Sequence, residues 1–294
     1  MQRIGRLSSK ISYLPKNKCA RNPMYSVRKP LSTSYLRPEF LKYLREIETK
    51  HKAHYQDSRP PLFGYPSNQL GRENLNLVYK ILSKGPIPNN VGTPFKPDEG
   101  NYTDHSLHTE RDLLLHLIKI WNADETNSTA YCTQGGTEGN FAGLRLGLSR
   151  FENPALLFSD QAHYSVEKFA DISRSNKKIL RTTENGEIDY AHFDECVIKE
   201  KGKPLVILAT IGTTVKGAID NLDEIWRILN RHGYTKKTTH VHCDAAFFGG
   251  YWGLDPSMPT RKLGEHFHSV SVSSVKWFGG IIGGYFAHSN KVRL

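Results

Sequence analysis

The spacing of apolar positions changes once along the chain, near residue 127. Before that point the periodicity is helical. Phe40, Tyr43, Leu44 and Ile47 recur at intervals of three or four and predict a helix over 39–52. Pro60, Pro61, Gly64 and Pro66 then break the pattern, and a second helix is expected over about 70–82. The stretch 85–100 holds four prolines, two asparagines and three glycines and is expected to be irregular. A third helix over 106–121 places Leu107, Leu114, Leu117, Ile118 and Trp121 on one side. After Asn127, short apolar runs alternate with amphipathic segments. The runs at 130–133, 155–159, 178–181, 205–209, 240–243, 269–273 and 281–287 predict strands, and 140–150, 166–174, 190–199 and 222–232 predict helices between them. That rhythm specifies an α/β body with a mostly parallel sheet and helices on both faces. The expected division is a segment over 1–38, a helical N-terminal arm over 39–126 and an α/β domain over 127–294.

Charge separates the first segment from the rest. Residues 1–38 contain nine Lys and Arg and no Asp or Glu, leaving 31 basic against 29 acidic groups in the remainder. The formal net charge of +11 is therefore a property of the N-terminus, and it gives no reason to expect a nucleic-acid partner. A basic, acid-free, serine-containing start is the composition of a mitochondrial targeting segment; a disordered tail on an otherwise cytoplasmic protein is the other reading. No apolar run approaches the ~18 residues of a membrane span, so no membrane partner is expected. Cys19, Cys132, Cys196 and Cys243 show neither zinc-ligand nor disulfide-scaffold spacing.

Ligands of such sheets bind beyond the carboxyl ends of the strands, and five unusual segments lie there. GGTEGN at 135–140 joins a strand to a helix. Gly135 and Gly136 allow close backbone approach and Thr137 adds a hydroxyl, which suits either a phosphate cradle or a tight turn. In 159–165, His163 is a base, a ligand, an aromatic platform or a structural histidine. The run 210–217 ends an apolar strand in small hydroxyl residues, among them Thr213. In HVHCDAA at 240–246, His240, His242 and Asp244 share one strand face, with Val241 and Cys243 on the other. A metal reading of that face has no accompanying ligand motif, and none is assigned. A carboxylate at the end of so apolar a strand needs a cation or N–H partner. Finally, Lys276 follows VSVSSV at the last strand end. It either reaches out to solvent or serves as an amine for Schiff-base chemistry.

Together these meet the needs of pyridoxal 5'-phosphate: a lysine for its aldehyde, a carboxylate for its pyridine nitrogen, an anion cradle and a flat group over its ring. The motifs GGTEGN (135–140), HYSVEK (163–168), NGEIDY (185–190), IGTTVKGAID (211–220), HCDAAFFG (242–249) and SSVKWFG (273–279) resemble, in order, those of the group II pyridoxal-phosphate-dependent amino-acid decarboxylases. The likeness is greatest to the histidine and serine decarboxylase branch. It implies a fold type I large domain, decarboxylation of an L-amino acid, histidine or serine, to the amine and carbon dioxide, and a homodimer. It further implies that Lys276 forms the covalent Schiff base (aldimine), Asp244 partners the ring nitrogen and His163 stacks on the ring. Gly135, Gly136, Thr137 and Ser273 would hold the phosphate, with Thr213 and Ala246 lining the ring. Two positions depart from the family pattern. Val275 stands where the family has a histidine, and the chain ends 18 residues past Lys276, before the family's catalytic loop and C-terminal small domain. The expectation is a large domain without its small domain. A non-catalytic remnant keeping the cofactor-binding fold is the alternative.

Overall fold

The computed structural model describes residues 106–252, 261–277, 280 and 283–289, together with 92–96 and the single positions Lys42, Glu46, Asn76, Val78, Tyr79, Lys80 and Ser83. Those seven positions are helical; the rest of the helices expected over 39–52 and 70–82, and residues 1–38, lie outside the described residues. The chain divides into two compact units, 1–61 and 62–294.

The elements of the second unit run in the order α1 (Leu107–Ile120), β1 (Ser128–Thr133), α2 (Gly136–Ser149), β2 (Ala155–Ser159), α3 (Tyr164–Ile172), β3 (Asn176–Leu180), α4 (Tyr190–Lys199), β4 (Leu205–Thr210), α5 (Leu222–Arg231), β5 (Thr239–Asp244), α6 (Gly249–Trp252), β6 (Ser269–Ser273), α7 (Ser274–Trp277) and β7 (Gly284–Ser289). All seven expected strands are present. They form one sheet in the order β1-β7-β6-β5-β4-β2-β3. β7 alone runs against its neighbours, pairing antiparallel with both β6 and β1. The fold is α/β with a mostly parallel sheet.

Alternation along β4 shows how the layers form. Leu205, Ile207 and Ala209 join a core with Leu114, Leu117 and Ile118 of α1, Phe193 and Val197 of α4, and Ile225, Ile228 and Leu229 of α5. Val206 and Leu208 point the other way, to Leu144 of α2 and Val166 and Phe169 of α3. Side chains two apart share a face, so a strand apolar at every position must be covered twice. α5 illustrates the helical half. Leu222, Ile225, Ile228 and Leu229 are buried at 3–4 spacing, and the Asn221 side chain accepts from the N–H groups of Asp223 and Glu224.

Helices α2 and α3 begin earlier than the apolar periodicity suggests. Their first turns carry glycine or polar residues that contribute nothing to a hydrophobic stripe. α6, α7 and a 3-10 turn at Glu125–Asn127 are too short to show any period. No described helix is long and apolar enough to cross a membrane.

α2 lies unusually close to the sheet. Gly136, Gly139, Gly143 and Gly147 form its inner stripe. A Cβ at Gly139 would come within 2.6 Å of Ser271, one at Gly147 within 2.8 Å of His240, and one at Gly143 would overlap the His242 ring. The polar face of β5 and β6 therefore packs against bare helix backbone.

Candidate active site

β1, β2, β4, β5 and β6 all end on one edge of the sheet, and the segments after them enclose a cavity of about 160 Å3. The start of α2 contributes Gly136, Thr137 and Asn140; the loop after β2 contributes His163 and Tyr164. Thr210, Gly212 and Thr214 come from the end of β4 and its loop, Asp244, Ala246 and Phe247 from the end of β5, and Ser273 and Lys276 from the end of β6. Seven of the residues singled out from sequence thus line one cavity: Lys276, His163, Asp244, Gly136, Thr137, Ala246 and Ser273. Gly135 and Thr213 are not among its lining residues, although each adjoins one in sequence. The Thr213 hydroxyl accepts from the Ala218 N–H at 3.0 Å, which ties down the loop after β4.

Asp244 is the buried carboxylate of the site, 4% exposed. One oxygen accepts from Asn140 Nδ2 at 2.7 Å and the other from the Ala246 N–H at 3.1 Å. Both donors are neutral, and a carboxylate oxygen accepts more than one hydrogen bond, so the group keeps acceptor capacity for a cavity ligand. His163 caps α3; its Nδ1 accepts from the Ser165 N–H at 3.3 Å and lies 2.8 Å from Ser165 Oγ. Burial pushes its pKa below the ordinary value; Asp244 pulls it up and Lys276 opposes that. A neutral ring with Nε2–H is the result, tilted against the Tyr164 ring at 4.2 Å.

The helix start is built for an anion. A Cβ at Gly136 would meet that of Ala246 at 2.9 Å, so only backbone fits there. The Gly139 N–H bonds the Gly135 carbonyl; the N–H groups of the preceding helical positions have no intrahelical acceptor and carry the positive end of the helix dipole. The hydroxyls of Thr137 and Ser273 line the same space.

The loop after β4 is pinned from beneath. Asp220, 2% exposed, accepts from the N–H groups of Thr210 at 2.7 Å and Ile188 at 3.0 Å, and burial raises its pKa to about 7 against those two bonds. Gly212 turns the chain at φ +95° with Phe248 against its α-carbon, where a Cβ would come within 2.6 Å. Thr210 Oγ1 is buried at the cavity with no hydrogen-bond partner, a hydroxyl left for a polar ligand atom.

Pyridoxal phosphate fits this donor set. The cavity joins an amine, a buried carboxylate, an unpartnered hydroxyl, a neutral imidazole and a helix N-terminus flanked by two hydroxyls. The histidine face of β5 does not gather a metal site. His240 and His242 are each hydrogen-bonded to Ser269, and among the described residues no group of three or more His, Cys, Asp or Glu is placed to hold an ion.

The conserved-domain model for pyridoxal-dependent decarboxylases matches residues 149–284. Serine decarboxylase 1 of Oryza sativa subsp. japonica is 37% identical over 191 residues, covering 65% of this chain and 39% of that protein. Residues 149–284 carry the pyridoxal-dependent decarboxylase domain, and the chain is similar to serine and histidine decarboxylases. Histidine decarboxylase of Solanum lycopersicum is 31% identical over 238 residues, 81% of this chain and 54% of that protein. The chain spans about half the length of the curated relatives it matches. The fold is shared with L-methionine decarboxylase from Streptomyces sp. 590, at TM-score 0.71 and 19% identity over 87% of this chain and 68% of that one. Lactobacillus brevis glutamate decarboxylase superimposes at TM-score 0.65, with 18% identity over 95% and 63%. Pyridoxal phosphate is the cofactor of this family.

The cavity also holds Asn140, Tyr164, Thr210, Gly212, Thr214 and Phe247, which the sequence reading does not single out as site residues. Asn140 has a usable signal: it falls on the same helical stripe as Gly136, Gly139, Gly143 and Gly147, a polar residue facing a buried acid. Thr210, Gly212 and Thr214 fall in the hydroxyl-rich run 210–217, whose small polar residues suggest a polar pocket although only Thr213 is given a role from sequence.

Proposed function

We propose that this chain catalyses pyridoxal-phosphate-dependent decarboxylation of an L-amino acid, histidine or serine, to the amine and carbon dioxide. The observation that carries the proposal is the convergence of Lys276, Asp244, His163 and the α2 N-terminus on one cavity. When bound, the cofactor supplies an electron sink for the pair left on Cα as the carboxylate departs. Lys276 would hold it covalently through its amine. The N–H groups at the start of α2, with the hydroxyls of Thr137 and Ser273, would bind its phosphate. The Asp244 carboxylate would keep a proton on the ring nitrogen, a role that needs its buried and oriented state. Neutral His163 would lie on the ring and present Nε2–H toward the substrate. Thr210 Oγ1 would meet a polar atom of the ring. Val275 brings no hydrogen bond to the phosphate side, so the cradle relies on α2 and the two hydroxyls.

The assembly belongs to the same proposal: a homodimer, with residues 1–38 either directing the protein to mitochondria or forming a tail on a cytoplasmic protein. Light scattering checks the first, and a reporter fused to residues 1–38 that stays in the cytosol refutes the mitochondrial reading. The reaction itself is tested by labelled carbon dioxide released from a panel of amino acids. Borohydride reduction and peptide mapping should place the pyridoxyl group on Lys276. Label elsewhere, or none at saturating cofactor, removes the assignment.

A further inference from the structure

Beneath α2, a line of buried polar side chains runs along β5 from the far edge of the sheet to the cavity. Arg150 Nη1 lies 3.2 Å from His240 Nδ1. His240 Nε2 lies 3.0 Å from Ser269 Oγ, and the same oxygen lies 2.9 Å from His242 Nδ1. His242 Nε2 is 3.2 Å from Asn140 Oδ1, and Asn140 Nδ2 is 2.7 Å from Asp244 Oδ2. His240, His242 and Ser269 are fully buried and Asn140 is 1% exposed. From His240 to Asp244 the path covers about 13 Å of strand.

The direction of every bond is compelled by the two ends. Arginine has donors only, and an ionised carboxylate has acceptors only. Arg150 therefore donates to His240 Nδ1, which leaves neutral His240 its proton on Nε2 to give to Ser269 Oγ. The single hydroxyl proton of Ser269 then goes to His242 Nδ1, and His242 donates from Nε2 to Asn140 Oδ1. That oxygen also accepts from the Ser271 hydroxyl, so both its lone pairs are used. The Asn140 amide consequently cannot turn over, and its Nδ2 must face Asp244. Burial pushes the pKa of His242 down to about 3 and that of His240 well below the ordinary value, which keeps both rings neutral, as the bond directions require.

We infer that this one-way relay, from Arg150 through His240, Ser269, His242 and Asn140, sets the orientation of the Asp244 carboxylate toward the cofactor ring, making His242 and Asn140 positioning residues. The inference rests on the reading of the cavity as a pyridoxal phosphate site, but the relay exists in the protein without cofactor. Polar groups of this kind are strengthened when all donors and acceptors are matched in series. The bare glycine stripe of α2 is what lets the helix close over them.

Two measurements test it on the full chain. In cofactor-free protein labelled with 15N-histidine, His240 and His242 should both be neutral Nε2–H tautomers at pH 7, with exchange-protected Nε2 protons. An Nδ1–H tautomer or a charged ring at His242 overturns the relay. The second measurement is cofactor affinity, read from absorbance and fluorescence titration. His242→Phe keeps a flat aromatic ring, slightly larger, but neither accepts from Ser269 nor donates to Asn140, and should weaken pyridoxal phosphate binding tenfold or more. His242→Gln keeps one acceptor and one donor and should stay within threefold of the parent. Equal affinities in the two variants overturn the positioning role. If His242→Phe does not fold, Arg150→Met takes its place: with the far donor gone only His240 is released, so its tautomer should become mixed while Asn140 still holds His242 as Nε2–H; an unchanged His240 tautomer, or a mixed one at His242, overturns the directed relay. A parent that never binds the cofactor, while its histidines show the expected tautomers, removes the functional proposal and leaves the relay standing.

Discussion

Replacing Asp244 by asparagine changes volume little and removes one charge. Its first effect comes from the hydrogen bonds. The wild-type carboxylate accepts from both Asn140 Nδ2 and the Ala246 N–H; an amide offers one oxygen and turns its own NH2 toward the other donor. Rotating the Asn140 amide to compensate would aim its NH2 at the Ser271 hydroxyl and at His242 Nε2, whose proton would then have to move to Nδ1. That reversal propagates through Ser269 and His240 to Arg150, which cannot accept. One buried donor therefore ends unpaired, at about 1–3 kcal/mol, or a melting temperature lower by roughly 2–12 °C for a unit of this size. The second effect falls on catalysis. A hydrogen bond to a charged group contributes about 1.5–3 kcal/mol, so losing the carboxylate at the ring nitrogen should lower kcat by about 10- to 150-fold. The assay pairs thermal melting of the cofactor-free protein with carbon dioxide release at saturating pyridoxal phosphate, on an amino acid that the parent turns over. A folded, cofactor-saturated Asp244→Asn protein that loses less than tenfold in kcat refutes the role assigned to the carboxylate.

Three further outcomes are expected. Gly143→Ala gains ~1 kcal/mol of helix propensity but drives a methyl into the His242 ring, which two hydrogen bonds hold in place; overpacking of ~1–3 kcal/mol should dominate, and a protein melting at or above the parent temperature contradicts the close approach of α2. For Asp220, burial raises the folded pKa to about 7 from an ordinary value near 3.8, so the native state binds the extra proton and stability falls as pH rises from about 4 through 7. The slope is at most ~1.4 kcal/mol per pH unit; Asp220→Asn should flatten it in urea titrations across that window, and an unchanged slope would show that another group is responsible. Val275→His places a donor beside Lys276 on the phosphate side and should tighten pyridoxal phosphate binding by about tenfold or more, the worth of a charge-assisted hydrogen bond; equal dissociation constants would show that the valine leaves no gap in the cradle.

Much of the architecture is legible along the chain because it depends on local spacing. Fully apolar runs such as LVILAT at 205–210 can only be strands covered twice, and the caps Asp189 and Asn221 mark where helices start. The segments that meet at the cavity are legible for a related reason: in an α/β sheet chemistry gathers at strand ends, so Asp244, His163, Lys276 and the turn at 135–137 stand out without knowledge of the strand order. The alternation of HVHCD also places His240, His242 and Asp244 on one face.

What that face does was decided only in three dimensions. Asn140 and Asp244 are separated by 104 positions, and Arg150 and His240 by 90. Their meeting depends on which strand lies beside which and on how near α2 can approach. The reversed direction of β7 was equally invisible, because a strand's apolar pattern reads the same in either sense. Two histidines beside an acid suggest metal ligands as readily as a hydrogen-bond relay. The choice is made by Ser269 of the neighbouring strand and by four glycines on a helix a hundred residues away, because hydrogen bonding and burial are properties of neighbours in space and not of neighbours in sequence.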